Sequence, residues 1–187
     1  MSAIFAALNP ATINLMPYRR EMTQPVRLSP PTPASNRRPL MTAGIVLGIG
    51  QAGFFDGIIF HQLLQWHHMF SNVKSDTTLA GLELNTLGDG LFHLFDWLMT
   101  LLGIFLLWRA AQQLQVLSAS TFIAALMIGF GGFNCLEGLI DHQLLGIHHV
   151  RSGAYTLIYD LAYLGISGVI AIAGWVILQS SQNAKSV

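Results

Sequence analysis

Four apolar runs, at about residues 41–66, 87–108, 119–145 and 154–178, constrain this chain more than any other feature. Each reaches or exceeds the roughly 20 residues a helix needs to cross the hydrocarbon core of a bilayer. Only 10% of the residues are charged and the mean hydropathy is +0.53, whereas a soluble domain carries roughly 25% charged residues. The chain therefore reads as an all-α protein with four membrane spans and the lipid bilayer as its main partner. Net charge is zero, which leaves no electrostatic footprint for nucleic acid. The single cysteine, Cys135, excludes an intramolecular disulfide and a thiolate zinc cluster, and inside an apolar run it reads as an unreactive thiol. The chain has no nucleophile elbow, phosphate loop or HExxH motif.

Charge placement predicts the orientation. With the N-terminus inside, seven of the nine lysines and arginines are inside, and only Lys74 and Arg151 are outside. The positive-inside rule then places both termini in the cytoplasm. The outer loops are a long polar one, 70–86, and a very short one, 150–153. Residues 1–40 combine Arg19, Arg20, Arg27, Arg37 and Arg38 with Pro25, Pro30, Pro31, Pro33 and Pro39. Prolines at that density predict a disordered basic cytoplasmic arm, unless translation starts at Met22 or Met41. The arm is not a signal peptide, because no apolar core with a cleavage site follows its arginines. Residues 41–178 form the membrane domain, and 179–187 a cytoplasmic tail.

One stretch is written twice. Residues 54–69 read FFDGIIFHQLLQWHHM and residues 135–150 read CLEGLIDHQLLGIHHV, at an offset of 81 residues (142 − 61). Asp56 matches Glu137, Gly57 matches Gly138, and His61, His67 and His68 match His142, His148 and His149. Farther on the repeat weakens, with Asp89 facing Asp160 and His93 facing Leu164. The predicted fold is a four-helix transmembrane bundle built from two duplicated hairpins, about 41–110 and 119–178. A unit with an even number of spans keeps its orientation, so the halves should be related by a pseudo-two-fold along the membrane normal.

Six of the nine acidic residues, Asp56, Asp89, Asp96, Glu137, Asp141 and Asp160, fall within the spans, without a lysine or arginine among them. An aspartate at mid-bilayer costs about 3 kcal/mol on the insertion scale, so protons, histidinium, a metal or a cationic substrate must compensate. Protonated acids holding helices together would account for one such residue. Six acids with seven histidines in a repeated pattern point instead to a transition-metal site for copper, iron or zinc, since imidazole plus carboxylate is their ligand set.

At roughly 100° per residue, His61 and His68 share one helix stripe, while Asp56 and His67 share another about 140° away. His142 with His149, and Glu137 with His148, repeat both stripes. Asp56 and His61 thus diverge, and either feed different ligands or need a local helix irregularity. Asp89, His93 and Asp96 stand on one stripe of the second span. The expected centre has His61, His93 and His142 over Asp56, Asp96 and Glu137, with Asp89 nearby and His68 and His149 as an outer mouth. Leu164 opposite His93 makes this centre asymmetric and leaves an open coordination position on the fourth-span side.

Three functions compete. The first is an intramembrane metal centre for redox chemistry or metal handling linked to respiration, with a respiratory complex or a second copy of the chain as partner. The second is a bis-histidine haem carrier with His61 and His142 as axial ligands, which the adjacent carboxylates disfavour. The third is a proton or cation relay through acids and histidines. The motifs FDGIIFHQLLQWHHM, GLELNTLGDGLFH and DHQLLGIHHVRSG resemble a family of small bacterial multipass membrane proteins classed only as a domain of unknown function. The resemblance covers roughly 41–178. It implies the bacterial inner membrane and lends no activity.

Overall fold

A computed structural model describes residues 36–114 and 116–183. The arm read over 1–40 lies outside these up to residue 35, as does the last part of the tail. Helix α1, Arg38–Asp56, opens with a proline in its first turn, where the missing N–H has no helical partner to lose. It continues without a break into a π-helical segment, π1, Gly57–Leu63. Helix α2 is Leu79–Gln113 and α3 is Ala119–Glu137; a second π segment, π2, Gly138–Leu144, follows, and α4 is Thr156–Asn183. Four helical stretches are long and apolar enough to cross a membrane, and no strand occurs among the described residues.

Helix α2 begins eight residues (87 − 79) before the apolar run that announced it. The polar residues there are clamps. The Thr78 side chain caps the helix, accepting from the Gly81 N–H at 3.1 Å. Asn85, wholly buried, donates to the carbonyls of Gly81 and Lys74, both at 3.0 Å, and accepts from the Phe70 N–H at 2.8 Å. At 35 residues the helix is about 52 Å long at 1.5 Å per residue, well beyond a hydrocarbon core of about 30 Å.

The helices pack in the order α2–α1–α3–α4, so the hairpins α1–α2 and α3–α4 meet through α1 and α3. That central contact is lined by small residues. Ala125, completely buried, stands where a Cβ on Gly44 would fall. A Cβ on Gly48 would fall on the Leu126 carbonyl, and one on Gly129 on the Ile45 carbonyl. Only glycine lets the two backbones come so close, as at helix contacts within membranes. Large apolar side chains face outward, among them Trp97, Leu101 and Phe105 on α2 and Ile166, Val169 and Trp175 on α4. The largest fully buried side chains are, Leu40 apart, polar: His61, His142 and His148 lead them, followed by Asn85 and Asn134. In a soluble protein this distribution would be inverted. The polar interior lies where both π segments end.

Candidate metal centre

The π segments remove the divergence expected between Asp56 and His61. In an α-helix, residues five apart point about 140° away from one another. In π1 and π2 the i→i+5 repeat brings them to one side. The Leu64 N–H donates to the Ile59 carbonyl at 2.9 Å, and the Leu145 N–H to Ile140 at 2.8 Å. His61 Nε2 accordingly lies 3.1 Å from Asp56 Oδ2, and His142 Nε2 lies 3.3 Å from Glu137 Oε1.

A left-handed residue then reverses the chain at each helix end: Gln65 at φ +50° and Gly146 at φ +58°. This turn carries His67 and His148 back over the segments that precede them. His67 Nε2 reaches to 3.9 Å from Asp56 Oδ2, and His148 Nε2 to 3.2 Å from Glu137 Oε1. Their rings stack with centroids 4.7 Å apart and planes within 5°. Each is anchored on the other hairpin's loop: His67 Nδ1 donates to the Val150 carbonyl at 2.9 Å, and His148 Nδ1 to Met69 at 3.1 Å. Asp56, His61, His67, Glu137, His142 and His148 form one buried group, none more than 7% exposed.

Carboxylates from the flanking helices hold the imidazoles from behind. Asp89 of α2 accepts from His61 Nδ1 at 2.8 Å, from His68 Nδ1 at 2.6 Å and from the Met69 N–H at 2.9 Å. Asp160 of α4 accepts from His149 Nδ1 at 2.8 Å, the Val150 N–H at 3.0 Å and Gln143 at 3.1 Å, and lies 3.6 Å from His142 Nδ1. A carboxylate on the far nitrogen of a histidine fixes its tautomer and aims its other nitrogen, the usual support behind a metal-binding imidazole. Asp89, expected beside the ligands, occupies this supporting place. His68 and His149 are partly exposed at the rim.

Each of the four inner imidazoles therefore faces an acceptor at both ring nitrogens. Nδ1 of His61, His67 and His148 hydrogen-bonds to a carboxylate or carbonyl, Nε2 of all four rings is turned towards Asp56 or Glu137, and His148 Nε2 hydrogen-bonds to Glu137 Oε1 at 3.2 Å. Both oxygens of Asp56, Oε2 of Glu137, Nε2 of His61 and His67, and both ring nitrogens of His142 are buried without a hydrogen-bond partner. The unpartnered Nε2 atoms of His61, His67 and His142 face a carboxylate oxygen at 3.1–3.9 Å, and lone pairs so placed repel unless a proton or a cation lies between them. Burial holds the His67 imidazole below its usual value against the pull of Asp56, so it favours the neutral form that binds metals. Among the described residues, the sets of ligand atoms lying within 4.8 Å of one another are His61–His67–His148 and Glu137–His142–His148.

His93 and Asp96 are not part of this group. His93 stacks on Phe54 at 5.8 Å, and its ring fills the space a Cβ on Gly57 would need. Its Nδ1 is 3.5 Å from Asp96 Oδ2, and Asp96, wholly buried against Gly53, has no hydrogen bond to either oxygen. Leu164 and Tyr163 meet Gly138 as His93 meets Gly57, so the two flanks differ here. The Tyr163 hydroxyl is buried and unpartnered, and its ring lies 5.6 Å from that of His142. Three residues of the site are absent from the sequence-derived ligand set: His67, His148 and Asp160. The signal for the first two was the stripe that Asp56 shares with His67 and Glu137 with His148; for Asp160 it was the alignment with Asp89.

Four membrane-length apolar helices around buried imidazoles and carboxylates define a multipass membrane protein with a polar site inside its helical layer. The chain belongs to the family described as Predicted membrane protein (DUF2243), which matches residues 43–181. No curated protein and no solved structure matches it.

Proposed function

We propose that this protein is a metalloprotein of the bacterial inner membrane, in which Asp56, His61, His67, Glu137, His142 and His148 hold a transition metal for redox chemistry or metal handling linked to respiration. One observation carries the reading. Four buried imidazoles, those of His61, His67 and His148 held at Nδ1 by hydrogen bonds to acceptors, turn Nε2 onto Asp56 and Glu137, and of these nitrogens only His148 Nε2 makes a hydrogen bond there. Nitrogen and carboxylate donors fit iron, copper or zinc. When bound, such an ion supplies Lewis acidity or an electron-transfer site. The chain's own residues orient the imidazoles and exclude water. Asp89, His68, Asp160 and His149 form the passage between this site and the surface, with both termini cytoplasmic and the site near the extracytoplasmic side.

The hairpins α1–α2 and α3–α4 are two copies of one unit about a pseudo-two-fold along the membrane normal. Support comes from the reciprocal contacts of Gly48 with Leu126 and Gly129 with Ile45, each partner being the other's counterpart at an offset of 81 (129 − 48; 126 − 45).

A haem bound between His61 and His142 would need their Nε2 atoms free for iron, yet a carboxylate oxygen lies 3.1 and 3.3 Å from them. The relay reading has a specific observation behind it. Asp56, His61, Asp89 and His68 form a continuous chain with steps of 3.1, 2.8 and 2.6 Å, running from the interior to the partly exposed rim. Elemental analysis with an absorption spectrum on detergent-purified protein separates the three. A transition metal without haem is expected. A strong Soret band with haem as the sole metal would select the electron carrier, and neither haem nor metal would select the relay.

A further inference from the structure

The six inner side chains do not converge on one point, and this bears on how many ions they hold. Six donors around a single ion at bonds of about 2.1 Å all lie within about 4.2 Å of one another. Here the sets within 4.8 Å of one another are triples, His61–His67–His148 and Glu137–His142–His148. On one side Asp56 Oδ2 lies 3.1 Å from His61 Nε2 and 3.9 Å from His67 Nε2. On the other Glu137 Oε1 lies 3.3 Å from His142 Nε2 and 3.2 Å from His148 Nε2. Donors on a tetrahedral ion with such bonds stand about 3.4 Å apart. Each side is thus two imidazoles and one carboxylate, a set that binds a divalent ion and leaves positions open.

Charge points the same way. Four buried carboxylates touch the histidines of this site: Asp56, Asp89, Glu137 and Asp160. Among the described residues no lysine or arginine makes an ion pair with any of them. Two divalent ions balance four carboxylates, whereas one leaves two buried negative charges uncompensated, a costly state at membrane depth. From geometry and charge together we infer that the centre is dinuclear. One ion is held by Asp56, His61 and His67, the second by Glu137, His142 and His148. His148 lies within 4.8 Å of His61 and His67 as well as of Glu137 and His142, so the two positions adjoin and two ions there would share ligands or solvent between them.

The inference rests on the metal reading of the site and fails separately from it. The test is metal content per chain of the full-length protein in detergent, measured as purified and after anaerobic equilibration with cobalt(II), whose d–d absorption reports each ion bound. Two ions per chain are expected. Glu137→Gln combined with His142→Ala should leave one, and Asp56→Asn combined with His61→Ala should also leave one, each with an unchanged elution volume. One ion in the unaltered protein, lost completely with either double variant, would overturn the dinuclear assignment and keep the metal reading. No bound ion in the unaltered protein would overturn both. Because the unaltered chain alone decides between two, one and none, a variant that fails to fold does not remove the test.

Discussion

Gln65 and Gly146 make the same left-handed turn, and the turn does not suit both equally. A left-handed backbone costs an L-residue about 1–2 kcal/mol, and glycine escapes that cost. Gly146→Val is therefore expected to lower stability by about 1–2 kcal/mol, read as thermal unfolding in detergent, while Gln65→Gly should leave it unchanged or raise it. The same turn sets His148 on Glu137, so Gly146→Val should also weaken metal retention. His93 calls for the opposite expectation. It pairs with Asp96 on the α2 flank of α1, outside the six inner groups. His93→Leu, which makes this place resemble Leu164, should keep at least half of the bound metal. A loss of tenfold or more would return His93 to the ligands.

At the scale of elements, the contact between α1 and α3 decides whether the two halves of the site meet. His67 and His148 each bond to the opposite hairpin's loop, and that reach exists only while the helices cross at glycine. Gly129→Val would drive a side chain into the Ile45 carbonyl. Backbone cannot move aside as a side-chain tip can, so a cost of about 3 kcal/mol or more is expected, with loss of metal. Gly132 on the same helix meets nothing within 4 Å. Gly132→Ala should therefore be silent or stabilise by about 0.5–1 kcal/mol. Equal damage from both substitutions would mean that the crossing is not what holds the site together. The π segments belong to the same scale. Such turns are rare and concentrate at functional sites, and here each places a carboxylate and an imidazole five residues apart on one side.

For the whole molecule, the apolar outward faces of α2 and α4 and the buried polar centre describe a protein turned inside out relative to a soluble domain. Charge placement predicts its orientation. In a Cys135→Ser background, an impermeant thiol reagent applied to intact cells should modify Asp76→Cys and spare Gln112→Cys. The reverse pattern would place the histidine-rich end in the cytoplasm, and with it the passage through His68 and His149.

Much of this was legible in the order of residues. Length and hydropathy suffice for four spans, because a bilayer selects on thickness alone. The duplicated FFDGIIFHQLLQWHHM pattern located the polar centre and named Asp56, His61, Glu137 and His142 for it. What the tertiary structure decided was which way each residue turns. The rule of 100° per residue holds for a regular α-helix and fails across a π segment, so the pairing of Asp56 with His61 was out of its reach. Which histidine of each HH pair faces inward depends on a chain reversal locked by hydrogen bonds to the other hairpin, and no local period encodes a partner some 80 residues away. His93 shares a stripe with Asp89 on α2, yet it faces the flank of α1 at Gly57, below the level at which Asp89 meets His61. A helix stripe specifies a direction from one axis; only the packing order α2–α1–α3–α4 determines what stands in that direction.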